Sequence, residues 1–165
     1  MPHRTRSLIA IDPGLNSMGW AYWDQQQVIL TDDMCFPNRV GLLRAPRKLD
    51  LTERARWLAN ELTDRIGNDI LFIPDIVCEY PSWHGGPLGW QTGDLQKLVF
   101  LVGVMAGFFS DNHFTPVTPK EWKGQLPKSV VVRRLIKRFG TGVTATWERD
   151  MWDAVGIGLW KLGQF

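Results

Sequence analysis

Cysteine is scarce in this chain, with two copies among 165 residues. Cys35 and Cys78 each lie inside an apolar stretch, and they form no Cys–His ligand pattern of the kind that binds zinc. Two cysteines are also too few for a disulfide framework. The sequence therefore predicts buried, reduced thiols, and it excludes a zinc module or a small disulfide-stabilised fold.

Long hydrophobic runs are missing too. The longest, Leu98–Phe109, has twelve residues and includes two glycines, whereas a membrane-spanning helix needs about 20 apolar residues. The basic segment Met1–Arg6 is followed within a few residues by Asp12, which leaves no room for the hydrophobic stretch of a secretory signal. We therefore expect a cytoplasmic protein with no membrane partner.

Neither charge sign dominates the composition. Lysine and arginine number 19 against 17 aspartates and glutamates, and the net charge of +2 by itself indicates no nucleic-acid partner. Hydrophobic residues make up 44% of the chain and charged residues 22%, which is typical of a folded globular protein. Because a chain of this length has room for one complete core, we expect a single domain over residues 1–165.

The basic residues are unevenly distributed along the chain. Between Lys120 and Arg138 there are seven basic residues and one acid, Glu121. Such runs commonly serve solubility, but beside a cluster of carboxylates they also predict a phosphate-binding surface. A second cluster is formed by Arg39, Arg44, Arg47, Lys48, Arg54 and Arg56.

The first third of the chain predicts three strands. Residues 7–11 form a short apolar run that ends at Asp12, and residues 18–23 and 27–36 carry aromatic, small and β-branched side chains suited to strands. Short connections between them indicate an antiparallel meander. Residues 37–46, which contain proline and arginine, are predicted to form a linker.

Helices and strands alternate in the remainder, as apolar residues recur first at helical and then at strand spacing. This order predicts a mixed five-stranded sheet, with three antiparallel strands followed by two parallel ones and helices on both faces, which is the layout of a ribonuclease H-like α/β fold. The predicted elements are a helix over 51–66, a strand over 73–80, a helix over 94–111, a strand over 113–117 and helices over 128–139 and 146–162.

Four carboxylates stand at informative places in these elements. Asp12 and Glu79 each end an apolar strand before a proline-containing turn, while Asp150 and Asp153 are three residues apart and share one helix face. Acids brought together repel one another unless a cation lies between them. Magnesium prefers oxygen ligands, and two ions about 3.5–4 Å apart can activate water and stabilise the leaving group in phosphodiester hydrolysis. We expect the four acids to be catalytic and to bind two Mg²⁺ ions, with Mn²⁺ as a substitute.

Each acid also has a structural explanation. Asp12 precedes a Pro-Gly turn, and Asp150 lies in the first turn of its helix, where it interacts favourably with the helix dipole. Glu148 also lies in the first turn of this predicted helix, where it interacts favourably with the helix dipole, and it remains an alternative ligand. Glu79 and Asp153 lie among apolar neighbours, where an unpartnered carboxylate is costly, so a structural role explains them less well.

Several short motifs together resemble the RuvC family of Holliday junction resolvases, in order over nearly the whole chain. The first and last motifs are the most specific, whereas the loop between Lys123 and Lys128 is shorter and less glycine-rich than the family pattern. The matching residues are Ile9-Ala10-Ile11-Asp12-Pro13-Gly14, Gly19, Glu79, Pro119, Trp122-Lys123, Lys128 and Asp150-x-x-Asp153-Ala154.

This resemblance implies an enzyme, a crossover junction endodeoxyribonuclease that uses divalent metal and no nucleotide cofactor. It implies a homodimer whose two active sites nick symmetry-related strands of a four-way DNA junction and leave 5′-phosphate ends. Asp12, Glu79, Asp150 and Asp153 would be the metal-binding catalytic acids. Lys123 and Lys128 would contact junction phosphates, and the basic run adds Lys120, Arg133 and Arg134 as candidate DNA-binding residues.

The segment after Glu79 carries aromatic side chains in a region that, in RuvC, helps to open the junction. Tyr80 and Trp83 are therefore candidates for stacking on an unpaired base. Trp83 fits equally well in the core or at a dimer interface. His84 is either a catalytic aid or an ordinary surface histidine.

Two other functions agree with parts of the sequence. The Asp12-Pro13-Gly14 turn is also similar to the first phosphate loop of sugar kinases and actin-like ATPases, although 165 residues do not supply the second domain that those proteins need. The chain could also be a non-catalytic junction-binding protein, or a related nuclease for RNA–DNA hybrids, flaps or other branched DNA.

Overall fold

A mixed β-sheet forms the centre of the molecule in the computed structural model, which describes residues 6–24, 35–67, 74–81, 93–110 and 113–165. Its strands are β1 Leu8–Pro13, β2 Ser17–Trp23, β3 Arg39–Arg44, β4 Asp75–Glu79 and β5 His113–Val117. They lie in the order β3-β2-β1-β4-β5. The first three are antiparallel neighbours, and β1, β4 and β5 are parallel to one another, which confirms the predicted mixed sheet.

Helices connect and cover the strands, and local sequence explains their ends. Asp50 caps the first helix in a reciprocal pair with Glu53, and Thr118 does the same with Glu121 for a short helix that the sequence analysis missed. Gly140, with φ of 81°, ends the helix predicted over 128–139. The helices are α1 Leu51–Ile66, α2 Asp94–Phe108, α3 Pro119–Lys123, α4 Lys128–Phe139, α5 Thr141–Thr144 and α6 Arg149–Lys161.

The two faces of the sheet pack against different helices. Successive side chains of a strand point to opposite faces, so Ile9 and Ile11 join the core formed with α1 and α2, while Leu8 and Ala10 join the core formed with α4 and α6. All four are buried. The predicted arrangement of helices on both faces is therefore confirmed.

The third strand was predicted in the wrong place. The structure forms β3 from Arg39–Arg44, inside the segment 37–46 that was predicted to be a linker, and most of the predicted strand 27–36 lies outside the described residues. β3 pairs with β2 from Tyr22↔Arg39 to Ser17↔Arg44 at the edge of the sheet. Charged ends are typical of edge strands, and here they made the segment look like a loop.

The remaining elements agree closely with the sequence. The strand 113–117 and the helices 51–66 and 128–139 have the predicted bounds, while the last helix begins at Arg149 rather than at 146. The start is later because α5 and a turn, in which the Trp147 N–H donates to the Thr144 carbonyl, occupy the preceding residues. Across the described ranges, no helix combines the length and apolar character that crossing a bilayer requires.

Candidate active site

Two of the four predicted acids meet at one edge of the sheet. β1 and β4 are parallel neighbours with Ile11 opposite Cys78, so the next residues, Asp12 and Glu79, lie side by side where the two strands end. We call this the carboxyl edge of the sheet. The sequence placed both acids at strand ends, and the parallel pairing brings those ends together.

Helix α6 brings the other two acids to the same edge. Its first turn contains Asp150, and Asp153 follows nearly one turn later with 7% of its surface exposed. Gly19 lies opposite Asp12 on β2, and a Cβ atom there would overlap the backbone carbonyl of Asp150. The absence of a side chain at Gly19 therefore lets α6 approach the sheet closely enough to present its acids.

The pKa of Asp12 reflects its interaction with the other three carboxylates. Burial raises the pKa of Asp12 well above its usual value, and the negative charges of Glu79, Asp153 and Asp150 raise it further, against a partial offset from Lys128. The pKa of Glu79 is raised as well, chiefly by burial. Residues far apart in the sequence thus form a single acidic cluster.

Three of the four acids each accept a hydrogen bond from a side chain, and the three donors are a serine, a tryptophan and a lysine. Ser17 Oγ donates to Asp150 Oδ2 over 2.5 Å, and Trp122 Nε1 donates to Glu79 Oε2 over 2.7 Å. Lys128 Nζ donates to Asp153 Oδ2 over 2.5 Å and also to the Arg149 carbonyl over 2.8 Å. Neither the role of Ser17 nor that of Trp122 was predicted from the sequence.

The chemistry of this cluster fits a divalent cation. Asp153 Oδ1 is buried and, among the described residues, has no hydrogen-bond partner. Such an orphaned oxygen beside the strongly repelled Asp12 suits a hard cation that takes oxygen ligands. Within the described ranges, however, no three candidate ligands already stand at metal-binding spacing. Lys128 holds Asp153 in this arrangement, so Lys128 and a cation would share that carboxylate.

The fold has counterparts among solved structures. Thermus thermophilus RuvC in complex with Holliday junction substrate aligns with a TM-score of 0.66 at 15% identity, over 96% of this chain and 97% of that one. A second Thermus thermophilus RuvC structure gives 0.64 and 15%, over 93% and 92%. The fold is that of RuvC. No protein-family model matches the sequence, and no curated protein matches it.

Basic side chains flank the acidic cluster of this RuvC-like fold on the β5 side. Lys123 lies next to Trp122, with its Nζ 4.7 Å from the ring centroid, and its charge partly offsets the raised pKa of Glu79. Lys128 begins α4 at the cluster itself. Exposed residues continue this surface along α3 and α4, and they are Lys120, Arg133 and Arg134.

The second basic cluster divides into exposed and structural members. Arg54 donates to the Leu15 and Leu49 carbonyls and so ties two loops to α1, and Arg39 donates to the carbonyls of Arg65 and Ile66 at the C-terminal end of α1. Arg44 is exposed at the carboxyl edge and forms an ion pair with Glu148. Glu148, the alternative ligand, lies at the N-terminus of α6 and is thus paired with Arg44. Arg47, Lys48 and Arg56 are exposed.

The predicted stacking residues are only partly described. Tyr80 directly follows Glu79, is 36% exposed, and its backbone N–H donates to the Val117 carbonyl over 2.7 Å. Trp83 and His84 lie outside the described residues. Of this segment, the structure therefore offers Tyr80 as an exposed ring beside a member of the acidic cluster.

Proposed function

We propose that this protein is a structure-selective endonuclease that resolves four-way DNA junctions by metal-dependent hydrolysis. The observation that carries the proposal is the half-buried Asp12, whose carboxylate is repelled by those of Glu79, Asp150 and Asp153. Such a cluster stores repulsion that a divalent cation relieves, and it lies on a RuvC-like fold beside basic residues. Phosphodiester hydrolysis is the chemistry that combines these features.

The four acids are the proposed ligands of two Mg²⁺ ions, with Mn²⁺ as a substitute. Asp12 is the member that interacts with all three of the others, Glu79, Asp150 and Asp153. When bound, the ions supply Lewis-acid chemistry that activates water and stabilises the leaving oxygen. Because these ligands come from two strands and one helix of a packed core, each has only a short distance to move to reach a shared cation.

The remaining polar residues of the site have roles that follow from their contacts. Ser17 fixes the orientation of the Asp150 carboxylate through its hydroxyl. Lys128 neutralises Asp153, and its flexible ammonium group is free to turn to a phosphate oxygen when DNA binds. Lys123, next to Glu79, stabilises negative charge on the scissile phosphate in the same way.

The proposed DNA path follows the basic surface of α3 and α4. Lys120, Arg133 and Arg134 are exposed there, and they would contact phosphates on either side of the cut. Tyr80, exposed beside Glu79, would stack on a base unpaired at the junction centre. Base stacking of this kind favours a distorted, branched substrate over continuous duplex.

We also propose that the protein acts as a homodimer through α2. This helix exposes 37% of Val99, 43% of Phe100 and 44% of Phe108, an unusual apolar surface for a helix on the outside of a sheet. A second copy would bury this surface and place two active sites on one junction. Paired nicks on symmetry-related strands would then leave 5′-phosphate ends that DNA ligase can seal.

The test of this function compares DNA substrates under defined metal conditions. Purified protein is incubated with a labelled four-way junction, a duplex of the same sequence and an RNA–DNA hybrid, with Mg²⁺, Mn²⁺ or EDTA. We expect paired nicks in the junction that need metal and that ligase reseals, and we expect Asp12→Asn to bind the junction without cutting it.

Other outcomes would replace the proposal. Retained cleavage by Asp12→Asn would refute the assignment of the acidic cluster. Preferred cleavage of the hybrid would identify a related nuclease, and junction binding without metal-dependent cleavage by the unmodified protein would identify a binding protein.

A further inference from the structure

The indole of Trp122 differs from the other hydrogen-bond donors at the acidic cluster because its N–H cannot rotate. Ser17 has a hydroxyl that rotates, and Lys128 has a flexible ammonium group, whereas an indole N–H is a neutral donor with one fixed direction. Trp122 is 2% exposed and donates to Glu79 Oε2 over 2.7 Å. Its direction is therefore set entirely by how the ring is packed.

The ring is held against the helix that carries Asp153. A Cβ atom at Gly156, three residues after Asp153 on α6, would lie 2.6 Å from Trp122 Cζ3, so only glycine lets the ring rest on the helix backbone. Phe165 meets the ring edge-on, with centroids 5.6 Å apart and an interplanar angle of 66°. The capped helix α3 fixes the backbone of Trp122 itself.

These contacts make Trp122 a bridge between two parts of the site. One side of the ring rests on α6 close to Asp153, and its N–H holds the carboxylate at the end of β4. With Oε2 of Glu79 engaged by the indole, the carboxylate has a defined orientation toward the rest of the cluster. A glutamate without this bond would lose several rotamers on binding a cation.

We propose that Trp122 is a positioning residue that orients Glu79 for cation binding. This inference rests on the proposed function, because it concerns the same acidic cluster. Partners that orient metal ligands typically contribute 10–100-fold to metal affinity or activity, so an effect of about that size is expected from losing the N–H. The contribution acts on the metal site, and because Trp122→Phe keeps an aromatic ring beside Lys123, the proposed DNA-binding surface is expected to change little.

The chain contains a matched control in Trp23. Trp23 is also buried in the core that α6 shares, and it packs on Gly158 of the same helix as Trp122 packs on Gly156. Its N–H donates to the Cys35 carbonyl over 3.4 Å, and it pairs with Leu8 at the opposite end of β1 from Asp12. Trp23→Phe therefore removes a similar ring and N–H without touching the acids.

The experiment measures Mn²⁺ affinity by calorimetry without DNA, and junction affinity in EDTA, for Trp122→Phe and Trp23→Phe. Trp122→Phe is expected to weaken Mn²⁺ binding about 10–100-fold while its junction affinity stays within about twofold. Its cleavage should recover as Mn²⁺ is raised. Trp23→Phe is expected to lose stability while its Mn²⁺ affinity stays within about twofold of the unmodified protein.

A purely structural role for Trp122 would give a different pattern. Equal losses of Mn²⁺ affinity in the two variants, or an unchanged affinity in Trp122→Phe, would overturn the inference. If Trp122→Phe does not fold, 3-benzothienylalanine at position 122 keeps the bicyclic shape and replaces the N–H with sulfur, and the same affinities are compared.

The failure of this inference can be distinguished from failure of the proposed function. Junction cleavage by the unmodified protein, together with unchanged Mn²⁺ affinity in Trp122→Phe, would reject the role of Trp122 alone. Mn²⁺ binding without junction cleavage would reject the proposed nuclease activity. The comparison of Mn²⁺ affinities would then still test the positioning role of Trp122. Absence of Mn²⁺ binding by the unmodified protein would reject both.

Discussion

At the scale of single residues, Asp12 is the member of the acidic cluster whose ionised form is most strongly opposed by its surroundings. Burial and three neighbouring carboxylates raise its pKa, so its charged form costs folding free energy when no cation is present. Asp12→Asn removes that charge and keeps the shape of the side chain. We expect metal-free Asp12→Asn to melt at a higher temperature than the unmodified protein at neutral pH.

The pKa of Asp12 is raised on folding, and this direction determines whether the stability of the protein rises or falls with pH. Below the ordinary Asp pKa of 3.8, Asp12 is neutral in both the folded and the unfolded chain, and the two proteins differ little from this cause. As the pH rises past 3.8 and then through the higher folded pKa, the unmodified protein loses stability. The advantage of Asp12→Asn should therefore grow with pH and then level off.

Thermal or urea unfolding in EDTA over a range of pH measures this difference. Asp64→Asn, at an exposed acid on α1, is the control and is expected to show no such growth. An Asp12→Asn protein that is less stable than the unmodified one at neutral pH would show that the four carboxylates do not repel as described.

The sequence identified the residues of the acidic cluster but not their partners. Asp12, Glu79, Asp150 and Asp153 were recognisable because strand ends and helix spacing are local patterns. The bond from Ser17 to Asp150 joins residues 133 positions apart, so it depends on the packing of α6 against β2. Trp122 was part of a recognised motif, but its bond to Glu79 was not predicted because α3 was not predicted, although Thr118 and Glu121 carry the capping-box pattern that marks the start of α3.

At the scale of elements, the contact between α6 and β2 decides whether the acids meet. Gly19→Ala places a methyl group against the backbone carbonyl of Asp150. We expect a loss of about 1–3 kcal/mol in the free energy of unfolding, because overpacking forces the backbone to shift. Cleavage should fall as well, since the start of α6 is pushed away from the carboxyl edge.

Urea unfolding measures the stability of Gly19→Ala against that of Gly142→Ala. A Cβ at Gly142 meets no atom within 4 Å, so this control is expected to stay within about 0.5 kcal/mol of the unmodified protein. If Gly19→Ala unfolds at the same urea concentration as the unmodified chain, α6 does not depend on this close approach.

The element that the sequence misplaced shows where local patterns fail. Residues 113–117 and 128–139 were predicted with correct bounds because their apolar residues recur regularly between clear stop signals. β3 has an arginine at each end and a glycine in the middle, and its partly buried side chains give it little hydrophobic pattern. Its pairing with β2, and not its own propensity, makes it a strand.

At the scale of the whole molecule, the exposed face of α2 predicts association of two copies. Phe100→Asp places a charge in the proposed interface and is expected to shift the protein from dimer to monomer with little change in its fold. Sedimentation or light scattering measures the mass in solution. Val143→Asp, at a residue on α5 that is 51% exposed, is the control and should leave the mass unchanged.

A monomeric unmodified protein at micromolar concentration would contradict the proposed homodimer. A dimer that Phe100→Asp leaves intact would place the interface away from this part of α2.

The basic surface of α4 predicts how salt affects DNA affinity. Arg133, Arg134 and Lys137 are exposed, although Arg134 also lies over the Phe165 ring, whereas Arg138 is held by hydrogen bonds to the backbone carbonyl and the side chain of Gln164. Replacing those three with glutamine should reduce the salt slope of junction binding by up to about 3, since each phosphate contact contributes about 0.9.

Binding measured at several salt concentrations gives this slope. Arg65→Gln, at the far end of α1 from the carboxyl edge, is the control and should leave the slope unchanged. An unchanged slope in the triple variant would show that DNA follows a different surface.

Four carboxylates from distant parts of the chain are proposed to form one site for divalent cations. Titration of Mn²⁺ into metal-free protein, followed by the electron paramagnetic resonance signal of free Mn²⁺, measures whether that site exists. We expect the unmodified protein to bind Mn²⁺ saturably and Asp12→Asn to lose that binding while staying folded. Equal Mn²⁺ binding by the two proteins would contradict the account.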